Sequence, residues 1–161
     1  MKDSYYEPLI SVVVPCFNSG KTLMRCIDSI KRQIWNNKEI IVVNDGSNEE
    51  GTLKVLNSLL DIKVFNQKNF GLPVARNNGG KRASGEYLFF LDADDWIDEN
   101  ALKLMYTKLF NHKNNSFIFT DIMLEGKKNK VVCKQYNFFE QLFLNQLPYS
   151  ILISKHIWIK V

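Results

Sequence analysis

Tyr87-Leu88-Phe89-Phe90-Leu91-Asp92-Ala93-Asp94-Asp95-Trp96 drives a short apolar run straight into a cluster of carboxylates. The run follows Gly85 and is rich in aromatics, which predicts a buried strand, too short to span a membrane. Asp92, Asp94 and Asp95 then fall at the strand's carboxyl end, where an open α/β sheet places its ligand crevice. Three carboxylates crowded there repel one another unless something positive lies among them. A divalent cation meets that need, and Mg²⁺ or Mn²⁺ prefers oxygen ligands while keeping water or phosphate as the rest. The cluster therefore points to a metal-bridged diphosphate. The competing reading, in which Asp94 or Asp95 caps the next helix, needs one aspartate and leaves two unexplained.

Working outward, Leu9 to Val14 is rich in β-branched residues and reads as a central strand buried on both faces. Pro15 is expected to end it, because proline cannot continue a central ladder. The loop Cys16-Phe17-Asn18-Ser19-Gly20 follows. Leu23, Cys26, Ile27, Ile30 and Ile34 then recur at helical spacing, with Ser19 as cap. Glu39 to Asn44 predicts a second buried strand, ending in the turn Asp45-Gly46-Ser47. Leu53, Leu56 and Leu60 mark the next helix, and Ile62 to Phe65 a third strand. After the loop Asn69-Phe70-Gly71-Leu72, Pro73 suits a first helical turn. That helix carries Val74, Ala75, Asn78 and Ala83, and Gly85 is expected to close it. Strands alternating with helices in this way predict an α/β domain with a largely parallel sheet.

Beyond the aspartates, Asp98 is expected to cap a helix bearing Leu102, Met105 and Leu109. Ser116 to Thr120 and Lys130 to Cys133 read as strands, joined through Gly126-Lys127-Lys128-Asn129. Phe138, Leu142 and Phe143 predict another helix, and Ile151-Leu152-Ile153 another strand.

The 161 residues predict one domain, large enough for a real core. Apolar content of 45% with 24% charge fits a soluble globular protein. The net charge of +4 comes from scattered lysines, which reads as a solvated surface and not as a nucleic-acid footprint. Such mild basicity still suits anionic substrates or an anionic membrane face. Cys16, Cys26 and Cys133 are odd in number and widely spaced, which argues against disulfides or zinc and for a reducing compartment. Cys26 lies on the apolar helical face and is expected in the core. His112 and His156 stand apart from each other and from the aspartates. Met1 to Glu7 is polar, unlike a signal peptide, and no stretch reaches transmembrane length.

The first, second and fourth strands each deliver polar groups at their carboxyl ends: Asn18, then Asp45, then Asp92, Asp94 and Asp95. They meet in one crevice if the strands are adjacent. Asp45 could accept from an N–H on a base edge, or simply be the first residue of an Asp-Gly turn. Arg76 and Lys81 could face phosphate oxygens, or be surface helix residues. Phe17 could flank a base or ribose ring. The chain has no Walker-type loop and no GxGxxG pattern, which argues against P-loop and dinucleotide chemistry.

At these residues the chain resembles the family 2 glycosyltransferases, which have the GT-A fold, a Rossmann-like three-layer α/β/α sandwich with a mostly parallel central sheet. The resemblance rests on four segments in order. They are Val12-Val13-Val14-Pro15-Cys16-Phe17-Asn18, Glu39 through Ser47, Asn69 through Asn77, and Gly85 through Asp95. It implies that Asp45 reads the uracil edge of a UDP-sugar donor and that Pro15, Phe17 and Asn18 form the first donor loop. Gly71, Arg76 and Asn77 would line the nucleotide and diphosphate. Asp92 and Asp94 match the DxD motif, in which Asp94 would hold Mn²⁺ or Mg²⁺ and Asp92 would contact ribose or a metal-bound water.

The implied reaction is sugar transfer with inversion to a hydroxyl of a saccharide or lipid-linked acceptor, in a cytoplasmic enzyme of polysaccharide synthesis at the inner face of a membrane. The family's general base is an acidic residue of a later Glu-Asp motif. Here Ile157-Trp158-Ile159-Lys160-Val161 resembles the segment just before that region, and the sequence ends there. Glu140 and Asp121 are poor substitutes by position. Residues 1–161 are thus expected to be a single donor-binding domain, C-terminally truncated, whose uncovered sheet edge would favour a homo-oligomer.

Three alternatives compete. A sugar nucleotidyltransferase would carry a glycine-rich loop with a basic residue after the first strand, where this chain has Pro15 to Gly20. A phosphatase with an aspartyl nucleophile would place its DxD after the first strand and follow it with threonine. A non-catalytic nucleotide-sugar-binding fragment or partner subunit would account for the absent base.

Overall fold

The computed structural model describes residues 6–111, 117–125, 129–133 and 150–160. The expected helix at Phe138, Leu142 and Phe143, together with Glu140, His112 and Gly126 to Lys128, lies outside the described residues.

Four strand–helix pairs open the chain. They are β1 (Ile10–Cys16), α1 (Gly20–Lys31), β2 (Lys38–Asp45), α2 (Glu50–Ser58), β3 (Lys63–Gln67), α3 (Leu72–Arg82), β4 (Tyr87–Phe90) and α4 (Ala101–Asn111). Then come β5 (Phe117–Phe119), β6 (Ile122–Leu124), β7 (Lys130–Val132), β8 (Ile151–Ser154) and the short helix α5 (Lys155–Trp158). The main sheet has the order β3-β2-β1-β4-β8-β5, and β6 and β7 form a separate antiparallel pair. The first four strands are mutually parallel, and β8 runs antiparallel between β4 and β5.

Both faces of the sheet are covered, which is why β1 is buried at every position. Val12 and Val14 pack with Leu23, Cys26, Ile27 and Ile30 of α1, Leu56 of α2, and Leu102 and Met105 of α4. The alternate residues Val13, Ile41, Val43 and Phe90 pack with Ala75 of α3 and Trp158 of α5. Helices on both faces of a mostly parallel sheet make the expected three-layer α/β/α sandwich.

Local departures have physical causes. Pro15 does not end β1; it pairs with Val43, one residue before the strand's last. The Val13 carbonyl accepts from Leu91, so strand alternation turns the missing Pro15 N–H to the β4 side, beyond the end of β4. Ile34 and Leu60 lie past the ends of α1 and α2 and are exposed, Leu60 by 89%. Gly85 does not cap α3, which ends at Arg82. Its N–H donates to Ser11 Oγ, and a Cβ there would come within 2.6 Å of the Leu9 carbonyl. Gly79 and Gly80 are packing residues. A Cβ on Gly79 would lie 2.3 Å from Val13 Cγ1, and one on Gly80 2.8 Å from the Trp158 ring.

The order 3-2-1-4 reverses direction between β1 and β4. This is a topological switch point, and the carboxyl ends of those strands open the crevice there.

Candidate functional site

The fourth strand delivers its acids as the sequence predicts. Leu91 still bonds to Val13, and the chain then turns, with the Asp95 N–H donating to the Asp92 carbonyl at 3.0 Å. That turn gathers Asp92, Asp94 and Asp95, with one carboxylate oxygen from each lying within 4.8 Å of the others. Asp92 is half-buried, whereas Asp94 and Asp95 are exposed. Burial pushes the Asp95 carboxyl above its ordinary range, and the charges of Asp94 and Asp92 add to the shift. The donors are all oxygen, three acids converge, and one of them bears the cost of its neighbours' charge. This set fits a hard divalent cation such as Mg²⁺ or Mn²⁺.

One positive group already meets the cluster. Arg76 Nη2 donates to both oxygens of Asp92, at 2.6 and 2.9 Å, and each side chain is only 18% exposed. Arg76 reaches Asp92 because α3 lies against the sheet, an approach that Gly79 permits.

The start of α3 is fixed by the second strand. Asp45 ends β2 and is 3% exposed. Its Oδ1 accepts from Gln67 Nε2 at 2.7 Å and from the Phe70 N–H at 2.9 Å; its Oδ2 accepts from the Gly71 N–H at 2.9 Å. Gly71 has a φ of 88°, and its carbonyl accepts the Ala75 N–H of α3. A side chain disfavours that backbone conformation, which accounts for glycine at this position. One helix thus runs from the Asp45 anchor to the Asp92 contact. The five residue steps from Gly71 to Arg76 rise about 7.5 Å, and the ends of β2 and β4, with β1 between them, stand roughly 10 Å apart.

Asn18 follows β1 with a φ of 50° and gives its whole side chain to the next loop. Its Oδ1 accepts the N–H groups of Asn48 and Glu49 at 3.0 and 3.1 Å, and its Nδ2 donates to Asn48 Oδ1 at 2.9 Å. It therefore satisfies amides at the start of α2 from another segment of chain, as a cap would. Pro15 is buried, and Phe17 is 46% exposed at the crevice end of β1.

Asn77 is exposed on α3. The polar network instead runs through its neighbour Asn78, whose Nδ2 donates to Gln67 Oε1 at 2.8 Å. Sequence reasoning gives Gln67 no role and reads Asn78 only as a residue of the helix. Their signal was the position of Gln67 two residues beyond the predicted strand end, opposite Asp45 in the register. Arg25 was missed as well. Its guanidinium carbon stands 3.1 Å over the Trp96 ring centre, and it also pairs with Glu125 at 3.3 Å.

Two other features have structural explanations. Cys26 Sγ lies 3.5 Å from the Asp92 carbonyl, but burial, reinforced by the charges of Asp95 and Asp92, pushes its thiol up to about 12. It is a protonated core residue, not a nucleophile. A surface groove of about 420 Å³ lies at the opposite end of β2 and β3, lined by Lys31, Lys38, Glu39 and Lys63. Glu39 and Lys63 pair with each other there at 2.6 Å, far from the acid cluster along the strands.

The chain belongs to glycosyl transferase family 2, whose description matches residues 11–154. Its sandwich is the GT-A fold of that family. It is 39% identical over 129 residues to the poly(ribitol-phosphate) beta-N-acetylglucosaminyltransferase TarP of Staphylococcus aureus, covering 76% of this chain and 39% of that protein. The solved structure of S. aureus TarS residues 1–349 superposes with a TM-score of 0.75 over 94% of this chain and 48% of the other, at 24% identity. TarS in complex with UDP-GlcNAc matches with a TM-score of 0.59 and 31% identity, over 67% of this chain and 32% of that one. The chain spans between 15% and 39% of the length of the first curated relatives it matches. Among the described residues no helix is long and apolar enough to cross a membrane.

Proposed function

We propose that this chain binds a nucleotide-diphosphate sugar, a UDP-sugar, at the carboxyl ends of β1, β2 and β4. We propose further that it serves an inverting, metal-dependent glycosyltransferase acting on an acceptor hydroxyl. The observation that carries the reading is the gathering of Asp92, Asp94 and Asp95 beside Arg76 at the sheet's switch point.

The anchors on α3 suit the length of such a donor. Asp45 Oδ2 takes one backbone donor, and a carboxylate oxygen has two lone pairs, so one remains for a uracil N–H. Phe17 stands exposed next to that end of the crevice, ready to flank the base or ribose. Arg76, with Gly71 and Asn77 on the same segment, would contact the diphosphate. Asp92 and Asp94 would hold Mn²⁺ or Mg²⁺, which when bound supplies positive charge against the leaving diphosphate. The UDP-GlcNAc complex of TarS, at 31% identity, supports a uridine donor.

Deprotonation of the acceptor belongs to a carboxylate on the acceptor side. Asp121, in the connection from β5 to β6, is exposed, and Glu140 lies outside the described residues. As a second reading, the chain is a donor-binding part or partner subunit that binds without transfer; its span of between 15% and 39% of the first curated relatives' length favours this. A saccharide or lipid-linked acceptor at the inner face of a membrane, in polysaccharide synthesis, and self-association of the chain are proposals from the family resemblance.

A ¹⁵N-labelled sample titrated with UDP and trace Mn²⁺ tests the location. Paramagnetic broadening should be strongest at the amides of Asp92 to Trp96 and next at Phe70 to Arg76. Broadening centred elsewhere, or none, contradicts the reading.

A further inference from the structure

We propose that Arg76 acts as the internal counter-cation of Asp92, that its charge opposes a divalent cation binding there, and that a diphosphate draws it away. Nucleotide and metal would then bind cooperatively. This inference rests on the nucleotide-sugar reading and assigns Arg76 a positioning role within it.

The geometry makes the competition explicit. A single nitrogen, Nη2, spans both oxygens of Asp92 and takes one lone pair of each, so a cation binding the remaining lone pairs would lie close to the guanidinium charge. The pair is mostly shielded from water, where charges act on each other more strongly than at the surface. A divalent ion placed among Asp92, Asp94 and Asp95 would sit beside a guanidinium already engaged with one of its ligands. The two cations repel, so Arg76 on Asp92 weakens metal binding at that carboxylate.

A diphosphate changes the balance. Its oxygens offer the guanidinium a partner of the same sign as Asp92 and of matching fork geometry. Arg76 can turn to it without the helix shifting, because α3 is held independently at its start by Asp45 through Gly71 and along its length by the sheet. Asp92 is then free for the metal. A ligand shifts an equilibrium only by its differential affinity for the two states, and here each ligand favours the same state, with Arg76 off Asp92. By reciprocity, metal must tighten nucleotide by the factor by which nucleotide tightens metal.

The test measures Mn²⁺ dissociation constants from the spin-resonance signal of the free aquo ion, with and without saturating UDP, each corrected by a protein-free titration because UDP itself binds Mn²⁺. It uses the full chain and the variants Arg76→Gln and Arg76→Lys. For the unaltered chain, UDP should tighten Mn²⁺ by about tenfold or more. Arg76→Gln should bind Mn²⁺ alone about fivefold more tightly than the unaltered chain, and the effect of UDP should shrink by a similar factor. Arg76→Lys keeps the charge but makes only a point contact, so it should fall between the two. If near-ultraviolet circular dichroism shows that the glutamine variant has lost its fold, the lysine variant carries the comparison. Mn²⁺ binding alone that is no tighter in the variants, while UDP still enhances it in the unaltered chain, overturns this inference and leaves the nucleotide-sugar reading standing. Absence of any UDP-enhanced Mn²⁺ binding in the unaltered chain overturns both.

Discussion

The Gly71 N–H donates to Asp45 Oδ2 at 2.9 Å, at the residue where the chain turns into α3 with a φ of 88°. The preceding amide, Phe70, donates to Oδ1 of the same carboxylate at 2.9 Å. Two successive amides thus close on one buried acid. The end of β2 thereby sets the start of the helix that carries Arg76 to Asp92.

Asp45→Asn should expose that dependence. The amide keeps the shape but replaces one acceptor with a donor facing an N–H. We expect a loss of about 1–3 kcal/mol, the cost of a buried unsatisfied group, read from urea unfolding. Weaker UDP binding should accompany it, because the 68–71 loop loses its anchor.

Gly71→Ala and Gly79→Ala should separate conformation from packing. A Cβ on Gly71 meets nothing nearer than Pro73 Cδ at 4.0 Å, so its cost, about 1–3 kcal/mol, is backbone strain. A Cβ on Gly79 meets Val13 Cγ1 at 2.3 Å, so its cost, also about 1–3 kcal/mol, is overpacking between α3 and β1. Unfolding curves should show both losses. A crystal structure of the first should show a shifted loop, and of the second a displaced helix.

Asn18→Ala should behave as the loss of a helix cap. Its amide satisfies the Asn48 and Glu49 N–H groups at the start of α2. We expect roughly 1 kcal/mol of destabilisation, with hydrogen exchange speeding up first at those two amides.

Glu39 should make part of the stability depend on acid. Burial pushes its carboxyl up, but donation from Lys63, Ser11 and the Ser84 N–H outweighs this and holds it below its ordinary 4.5. A depressed folded value means that the contribution is complete above 4.5 and fades as pH falls through the folded value. The gap in urea midpoint between the native chain and Glu39→Gln should therefore narrow between about pH 6 and pH 3. A gap that stays constant across that range would show that the charge is not the source.

The sequence was most legible where the signal is local. The β-branched run of β1, the apolar run of β4 and the acids that follow it carry their meaning within a few residues, and the structure arranges them as read. Asp45 and Gly71 were legible as separate motif residues, but their bond was not, because it joins the end of one strand to the start of the third helix. The same holds for Asn18 with Asn48 and Glu49, and for Gln67 with Asn78. Such pairings are set by strand register and loop path, which periodicity does not encode. Pro15 misled for the opposite reason: the rule about proline in a ladder is sound, but it depends on which neighbour the missing N–H would face.

The most direct test is a calorimetric titration of UDP into the chain with and without Mn²⁺, beside Asp94→Ala. Binding that requires the metal and disappears in the variant is the expected result, since Asp94 is one of the two exposed acids of the cluster. Equal heats with and without Mn²⁺, or binding that survives the loss of Asp94, would contradict the assignment of a metal–diphosphate site at the end of β4.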